Sequence, residues 1–276
     1  MMLFLWLFLM RQPDAYIVVY SRGEIHQQTV AGNRIVQGSR IRPDDRLFFM
    51  SADAYARVAG KEGTYQLANN HDSRKTPVTG ELGQLVREIL IPTTISGDMR
   101  TRGGTITNWP EAESFFARFN DSARPMLLID KRQITISSSL VPDTGRCFFY
   151  LSYRRDKDTI NKRLPWTTTG KSLQIVFDRR LFEVDGRDMG TSQLPQTNIS
   201  FYNGLRHEST RLANMWVRYV SFSFLQPELC LVRAALSGNP GGANPDTMLL
   251  NYITVYYGQP DEDQFTHYWY PILNCK

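Results

Sequence analysis

The sequence predicts a mainly β-sheet protein carrying helices, of α+β class, and three features point there. Apolar residues recur with a period of two beyond residue 126: Ile134 and Ile136 alternate with Gln133, Thr135 and Ser137, and Leu173, Ile175 and Phe177 alternate with Ser172, Gln174 and Val176. Before residue 70, short β-rich runs are broken by turn signals about every 8 to 12 residues. Helical spacing, by contrast, is confined to a few segments, such as Ala112, Phe115, Phe116 and Phe119 after Pro110.

Composition narrows the classes. The 276 residues leave room for about two domains of ~150 residues, and a core that size needs no disulfide framework. With 42% hydrophobic residues, 21% charged, 15 Phe, 13 Tyr and 5 Trp, the chain lacks the signature of disorder. No stretch approaches the ~20 apolar residues of a membrane-spanning helix, so the expectation is a soluble globular chain whose membrane association, if any, is peripheral. Three cysteines, Cys147, Cys230 and Cys275, suit either a reduced compartment or one exported pair beside a buried thiol.

Residues 1–12 open with MMLFLWLFLM and Arg11. Ten residues rise only ~15 Å as a helix, half a bilayer core, but they match the apolar heart of an export signal. An export signal or its remnant is expected, and with it a periplasmic or cell-envelope location. If Met1–Met10 is not such a signal, the location becomes cytoplasmic.

A small all-β domain is expected over 14–70. Tyr16-Ile17-Val18-Val19-Tyr20 is a strand ending at Ser21-Arg22-Gly23; further strands follow at Gly23–Ile25, Ile35–Gly38, Ile41, Arg46–Phe49, Ala52–Val58 and Gly63–Leu67. The order Gly23-Glu24-Ile25, Val36-x-Gly38-Ser39-x-Ile41, Asp44-Asp45-Arg46-Leu47, Ser51-x-Asp53-Ala54-x-Ala56-x-Val58 and Gly63 resembles the FecR-like domain. Ser39 departs from it, standing where many members carry Asp. The wider layout, through Thr101-Arg102-Gly103 and Tyr256-Tyr257-Gly258-x-Pro260, is similar to uncharacterised FecR-like proteins exported by Gram-negative bacteria. That resemblance implies an envelope-facing module that binds or regulates; it carries over no catalytic residue.

A two-helix connector is expected over 79–120. Leu82, Leu85, Val86 and Ile89 form one stripe between Thr79 and Pro92, the Ala112 to Phe119 stripe forms the second, and 93–108 between them reads as a linker or an exposed loop. About seven strands over 126–225, with Asp185-Gly186 and Asn203-Gly204 as tight turns and Val220, Phe222 and Phe224 sharing a strand face, predict a β-sandwich-like domain. Residues 226–276 form a helical extension: Pro227 starts one helix bearing Leu229, Val232 and Leu236, and Asn244-Pro245 starts another bearing Met248, Tyr252, Val255 and Tyr256.

No residue pattern marks a catalytic, cofactor-binding or metal-ligating site. His26, His71, His207 and His267 are isolated, and no Cys lies near another. Cys147 and Cys230 sit in apolar patterns and read as core thiols. Asp156-Asp158-Asn161 and Asp261-Glu262-Asp263 lack the glycine of a calcium loop, and read as a hairpin turn and the acidic first turn of a helix. A net charge of +5 is small for this length, and the basic groups Arg154-Arg155-Lys157, Lys162-Arg163 and Arg179-Arg180 sit beside acids. That pattern argues against a nucleic-acid partner. No cofactor is implied, and the oligomeric state is not legible.

The expected function is a non-enzymatic, envelope-associated interaction or regulatory module that binds another protein through sheet edges and exposed aromatics. One alternative is glycan or polyanion binding through the basic loops and the aromatics Tyr256, Tyr257, Tyr268, Trp269 and Tyr270. The other is a hydrolase whose site is assembled from distant residues.

Overall fold

A computed structural model describes residues 15–28, 32–43, 45–61, 63–68, 104–237, 244–273 and 275. Met1–Met10, His71, the stripe around Leu82 to Ile89, Thr101–Gly103 and the glycine loop 238–242 lie outside the described residues. The protein is mainly β with helices, of α+β class. The chain divides into two compact units, Met1–Thr93 with Pro227–Met248, and Thr94–Gln226 with Leu249–Lys276.

In the first unit, β1 (Tyr16–Arg22), β3 (Arg40–Ile41), β5 (Tyr55–Gly60) and β6 (Gly63–Ala68) form an antiparallel sheet in the order β3-β1-β5-β6. A second small pair joins β2 (Ile25–Gln27) to β4 (Leu47–Phe49). Val18, Ile25, Ile41, Leu47, Val58 and Leu67 are fully buried and share one core. The strand expected at Ile35–Gly38 is not formed. Arg34 makes only an isolated bridge to His26, and the chain turns at once, with Ser39 Oγ accepting from Val36 N–H at 3.0 Å. A serine side chain thus competes with the ladder for the backbone donor.

The second unit holds eleven strands over 126–220 where the sequence predicted about seven. One sheet has the order β10-β9-β15-β16, with β9 at Phe148–Arg155, β10 at Asp158–Arg163, β15 at Thr197–Asn203 and β16 at Glu208–Met215. The other has the order β11-β12-β8-β7-β17, with β7 at Met126–Ile129, β8 at Lys131–Ser137, β11 at Trp166–Thr169, β12 at Ser172–Asp178 and β17 at Val217–Val220. A short hairpin pairs β13 (Glu183–Val184) with β14 (Arg187–Asp188) across the expected Asp185-Gly186 turn. The undercount has a simple cause: β10 and β11 are polar, largely exposed strands with no apolar alternation to betray them.

Both sheets feed one core. Phe149, Leu151 and Tyr153 from the first, and Ile134, Ile136, Leu173, Ile175 and Phe177 from the second, belong to the same buried cluster. Helix α1 (Trp109–Ala117) adds Ala112 and Phe116, and Phe119 just beyond it is also fully buried. Asn108 caps α1 by accepting from Glu111 N–H, while the Glu111 carboxylate accepts from Thr107 N–H at 2.7 Å. The Thr107 backbone N–H first, then the Thr107 hydroxyl, hold the Glu111 carboxyl below its ordinary pKa.

Three local expectations are corrected. Phe222 and Phe224 do not extend the strand of Val220: helix α2 (Phe222–Leu236) begins there, because Ser221 accepts from Phe224 N–H and Asp130 Oδ1 accepts from Phe222 N–H at 3.1 Å. Pro227 therefore lies inside α2 instead of starting it; in the second turn its missing N–H withdraws one intrahelical bond. Asn203-Gly204 is not a two-residue hairpin. The Asn203 side chain accepts from Leu205 N–H at 3.1 Å and builds a longer turn, closed by His207 at φ +54°. The last long helix, α3, spans Pro245–Tyr256 and buries Leu249, Tyr252 and Ile253.

Candidate functional site

The five-stranded sheet of the second unit is split. β7 and β8 pair only at Ile129↔Lys131, around Asp130 at φ +57°, and then part. Two other segments enter the gap. Gln259 runs parallel to β7, accepting from Leu127 N–H at 2.9 Å and donating to Pro125 C=O at 2.8 Å. Ile106 runs parallel to β8, donating to Thr135 C=O at 3.0 Å and accepting from Ser137 N–H at 2.8 Å. The segment expected to be a linker or an exposed loop therefore ends as a strand partner, with Ile106 buried in the core.

A cavity of about 210 Å³ opens at this split, lined by Gly104, Phe115, Arg132, Gln133, Thr135 and Gln174, with Asp261, Asp263 and Gln264 across from them. Strand alternation explains the mixture. Arg132 shares the inward face of β8 with Ile134 and Ile136, whereas Gln133 and Thr135 face outward, and Thr135 pairs with Gln174 of β12. Arg132 is buried to 1% exposure, so its charge is held almost without water. Its Nη1 donates to Gln259 C=O at 2.9 Å, and its guanidinium lies 5.2 Å from the centroid of the Phe119 ring.

The Arg132 Nε makes no hydrogen bond; the nearest carboxylate oxygen, Asp261 Oδ2, stands 3.8 Å away. Burial pulls the Arg132 guanidinium down to about 10, against the opposing pull of Asp261, and leaves it cationic at neutral pH. Asp261 itself is fixed: its Oδ1 accepts from Gln264 N–H at 2.9 Å and its C=O from Phe265 N–H at 2.8 Å. The predicted role of Asp261 at a helix start is thus what holds it opposite Arg132. Arg132 itself was not singled out in sequence. Its signal was parity, a cation at the register of two core isoleucines.

The same sheet also has an open edge. β11 pairs with β12 on one side, and among the described residues no strand pairs with the other. Because Val176 N–H bonds Pro165 C=O, antiparallel geometry turns the backbone groups of Trp166 and Thr168 outward. Trp166 anchors the strand, edge-on to Phe149 at 5.9 Å, and Thr167, Thr168 and Thr169 are exposed. The other edges of the two larger sheets in this unit are guarded. β10 carries Asp158, Lys162 and Arg163; β16 carries Glu208 and Arg211 beside a bulge; β17 is covered by Leu194 N–H on Val217 C=O and Tyr219 N–H on Ser192 C=O.

The remaining residues of interest disperse. His26 bonds Glu24 Oε1 at 2.8 Å and Gly32 C=O at 2.9 Å; the Glu24 bond first, then the carbonyl, raise its pKa. His207 lies beside Tyr202 Oη, and His267 is exposed. Among the described residues no group of three or more His, Cys, Asp or Glu is placed to hold a metal ion. Cys147 is a buried free thiol, but Cys230, expected to be another, is disulfide-bonded, as is Cys275. Arg179 pairs with Asp188, and Arg180 forks onto Asp178, so this one of the three basic groups is neutralised locally. Of the C-terminal aromatics, Tyr257 and Trp269 are buried, Trp269 stacking on Phe222 at 4.7 Å, whereas Tyr268 is 55% exposed. Among the described residues no helix is long and apolar enough to cross a membrane.

No protein-family model matches the chain, and no curated protein or solved structure matches it.

Proposed function

We propose that this chain is a non-enzymatic interaction module of the cell envelope, a FecR-like domain joined through a connector to a sandwich-like domain and helices, and that it recruits a protein partner by strand addition at β11. The observation that carries the reading is the contrast between edges. Among the edge strands of the two larger sheets of the second unit, β11 alone is exposed, uncharged and unpaired on one side among the described residues, while charge, a bulge or a covering segment blunts β10, β16 and β17. Natural proteins protect such edges unless the edge is used.

Two further observations support the parts. The glycines at the FecR-like turn positions, Gly23, Gly38 and Gly63, take φ of +75°, +88° and +145°, conformations that favour glycine. Disulfide-bonded Cys230 and Cys275 suit an oxidising compartment, as an envelope location requires.

The test is affinity capture from the native source with mass spectrometry, run beside fractionation. Thr168→Pro removes an outward N–H and spares the β11–β12 ladder, so the variant is expected to keep its circular dichroism and lose the captured partner at least about tenfold, the loss of one or two interstrand bonds and their geometry. Equal recovery by the variant, or recovery of the chain alone from the cytosol, contradicts the reading.

A further inference from the structure

We propose that the cavity at the split between β7 and β8 binds a neutral, hydroxyl-rich ring, a single sugar residue free or at the end of a glycan. The cavity is built from side chains other than those of β11, though its Gln174 pairs with Thr167 across the ladder. Its walls decide the ligand class. Arg132 supplies a buried cation whose Nε–H meets no acceptor, and the 3.8 Å between it and Asp261 Oδ2 is too long for a direct hydrogen bond. Something carrying an oxygen acceptor completes it.

That acceptor is not an anion, because an anion reaching Arg132 would also face the carboxylates of Asp261 and Asp263. Nor is the ligand a cation, which would face a guanidinium unable to leave its place. Neutral hydroxyls satisfy both walls at once: an O–H donates to a carboxylate while its lone pairs accept from Arg132. Gln133, Gln174 and Gln264 add carboxamides that donate and accept in pairs, and Thr135 adds a hydroxyl. Phe115 contributes an aromatic surface against which the C–H edges of a sugar ring pack.

Size agrees. About 210 Å³ falls below the ~300–1,000 Å³ of pockets for drug-sized ligands, which leaves room for one ring and not two. Pre-organisation agrees too. Gln259 holds Nη1 of Arg132, two backbone N–H groups hold Asp261, and Gln174 and Thr135 stand opposite each other in a regular ladder. Millimolar affinity is expected for so small a ligand.

Saturation-transfer-difference NMR on the full chain tests this with glucose, galactose, mannose and N-acetylglucosamine, and with glucuronate and glucosamine as charged counterparts. At least one neutral sugar is expected to show transfer, to outcompete its charged counterparts, and to bind about fivefold more weakly to Gln174→Ala and to Thr135→Val, each the loss of roughly one hydrogen bond. These outward-facing positions carry no core packing, so both variants fold even if Arg132→Met does not. Absence of transfer from every neutral sugar, tighter binding of a charged counterpart, or unchanged affinity in both variants overturns the proposal.

Discussion

Glu228→Ala is expected to destabilise the first unit by about 3–5 kcal/mol, the cost of removing the buried carboxylate that a desolvated guanidinium faces. Arg57 reaches from β5 to Glu228 of α2, Nη1 to Oε1 at 3.1 Å, with their side chains 10% and 1% exposed. The guanidinium also lies 5.0 Å from the Tyr20 ring centroid, so it is enclosed by aromatic surface that cannot replace the carboxylate. A desolvated pair is not by itself a source of stability, because desolvation of both ions offsets their attraction. The double variant Arg57→Met/Glu228→Leu should therefore recover most of what Glu228→Ala loses. Urea unfolding followed by far-ultraviolet circular dichroism reads both. A loss below about 1 kcal/mol for the single variant would mean that the pair behaves as an exposed one.

Gly258→Ala is the second large effect, expected to cost about 3–5 kcal/mol from a strained dihedral and a steric overlap together. Gly258 sits at φ +120°, and a Cβ there would fall 2.5 Å from Pro125 C=O. That carbonyl is the acceptor for Gln259 N–H, and Gln259 in turn holds Leu127 and Arg132. The substitution thus strikes the segment that fills the split sheet. Gly186→Ala is the control: Gly186 has φ +73° with nothing within 4 Å of its added Cβ, so only the left-handed penalty of about 1–2 kcal/mol is expected. Equal melting shifts for the two variants would show that the close approach at Gly258 carries no weight.

What the sequence disclosed, and what it hid, follow from how each element is held. Strands buried on one face, such as Lys131–Ser137 and Ser172–Asp178, write their period into the chain, and their alternation is read directly. Asp158–Arg163 and Trp166–Thr169 are held by neighbouring backbone, which leaves no pattern in side chains, and so the open edge was invisible. Phe222 and Phe224 matched a strand because a three-residue window suits period two as well as the first turn of a helix; the Ser221 cap and the Asp130 acceptor decided it. The cavity could not be read at all. Its residues come from α1, β8, β12 and the Asp261 turn, brought together only because β7 and β8 part after one pair. The charge of Arg132 at a register otherwise apolar does not by itself tell a site from a core ion pair.

The proposed partner pairs with the outward backbone groups of β11. Amide hydrogen exchange of the chain, alone and bound to its captured partner, measures this directly at the outward-facing Trp166 and Thr168. Slowing of these two amides on binding, with those of β10 unchanged, is the predicted result. Protection elsewhere while Trp166 and Thr168 exchange as freely as in the isolated chain would contradict it.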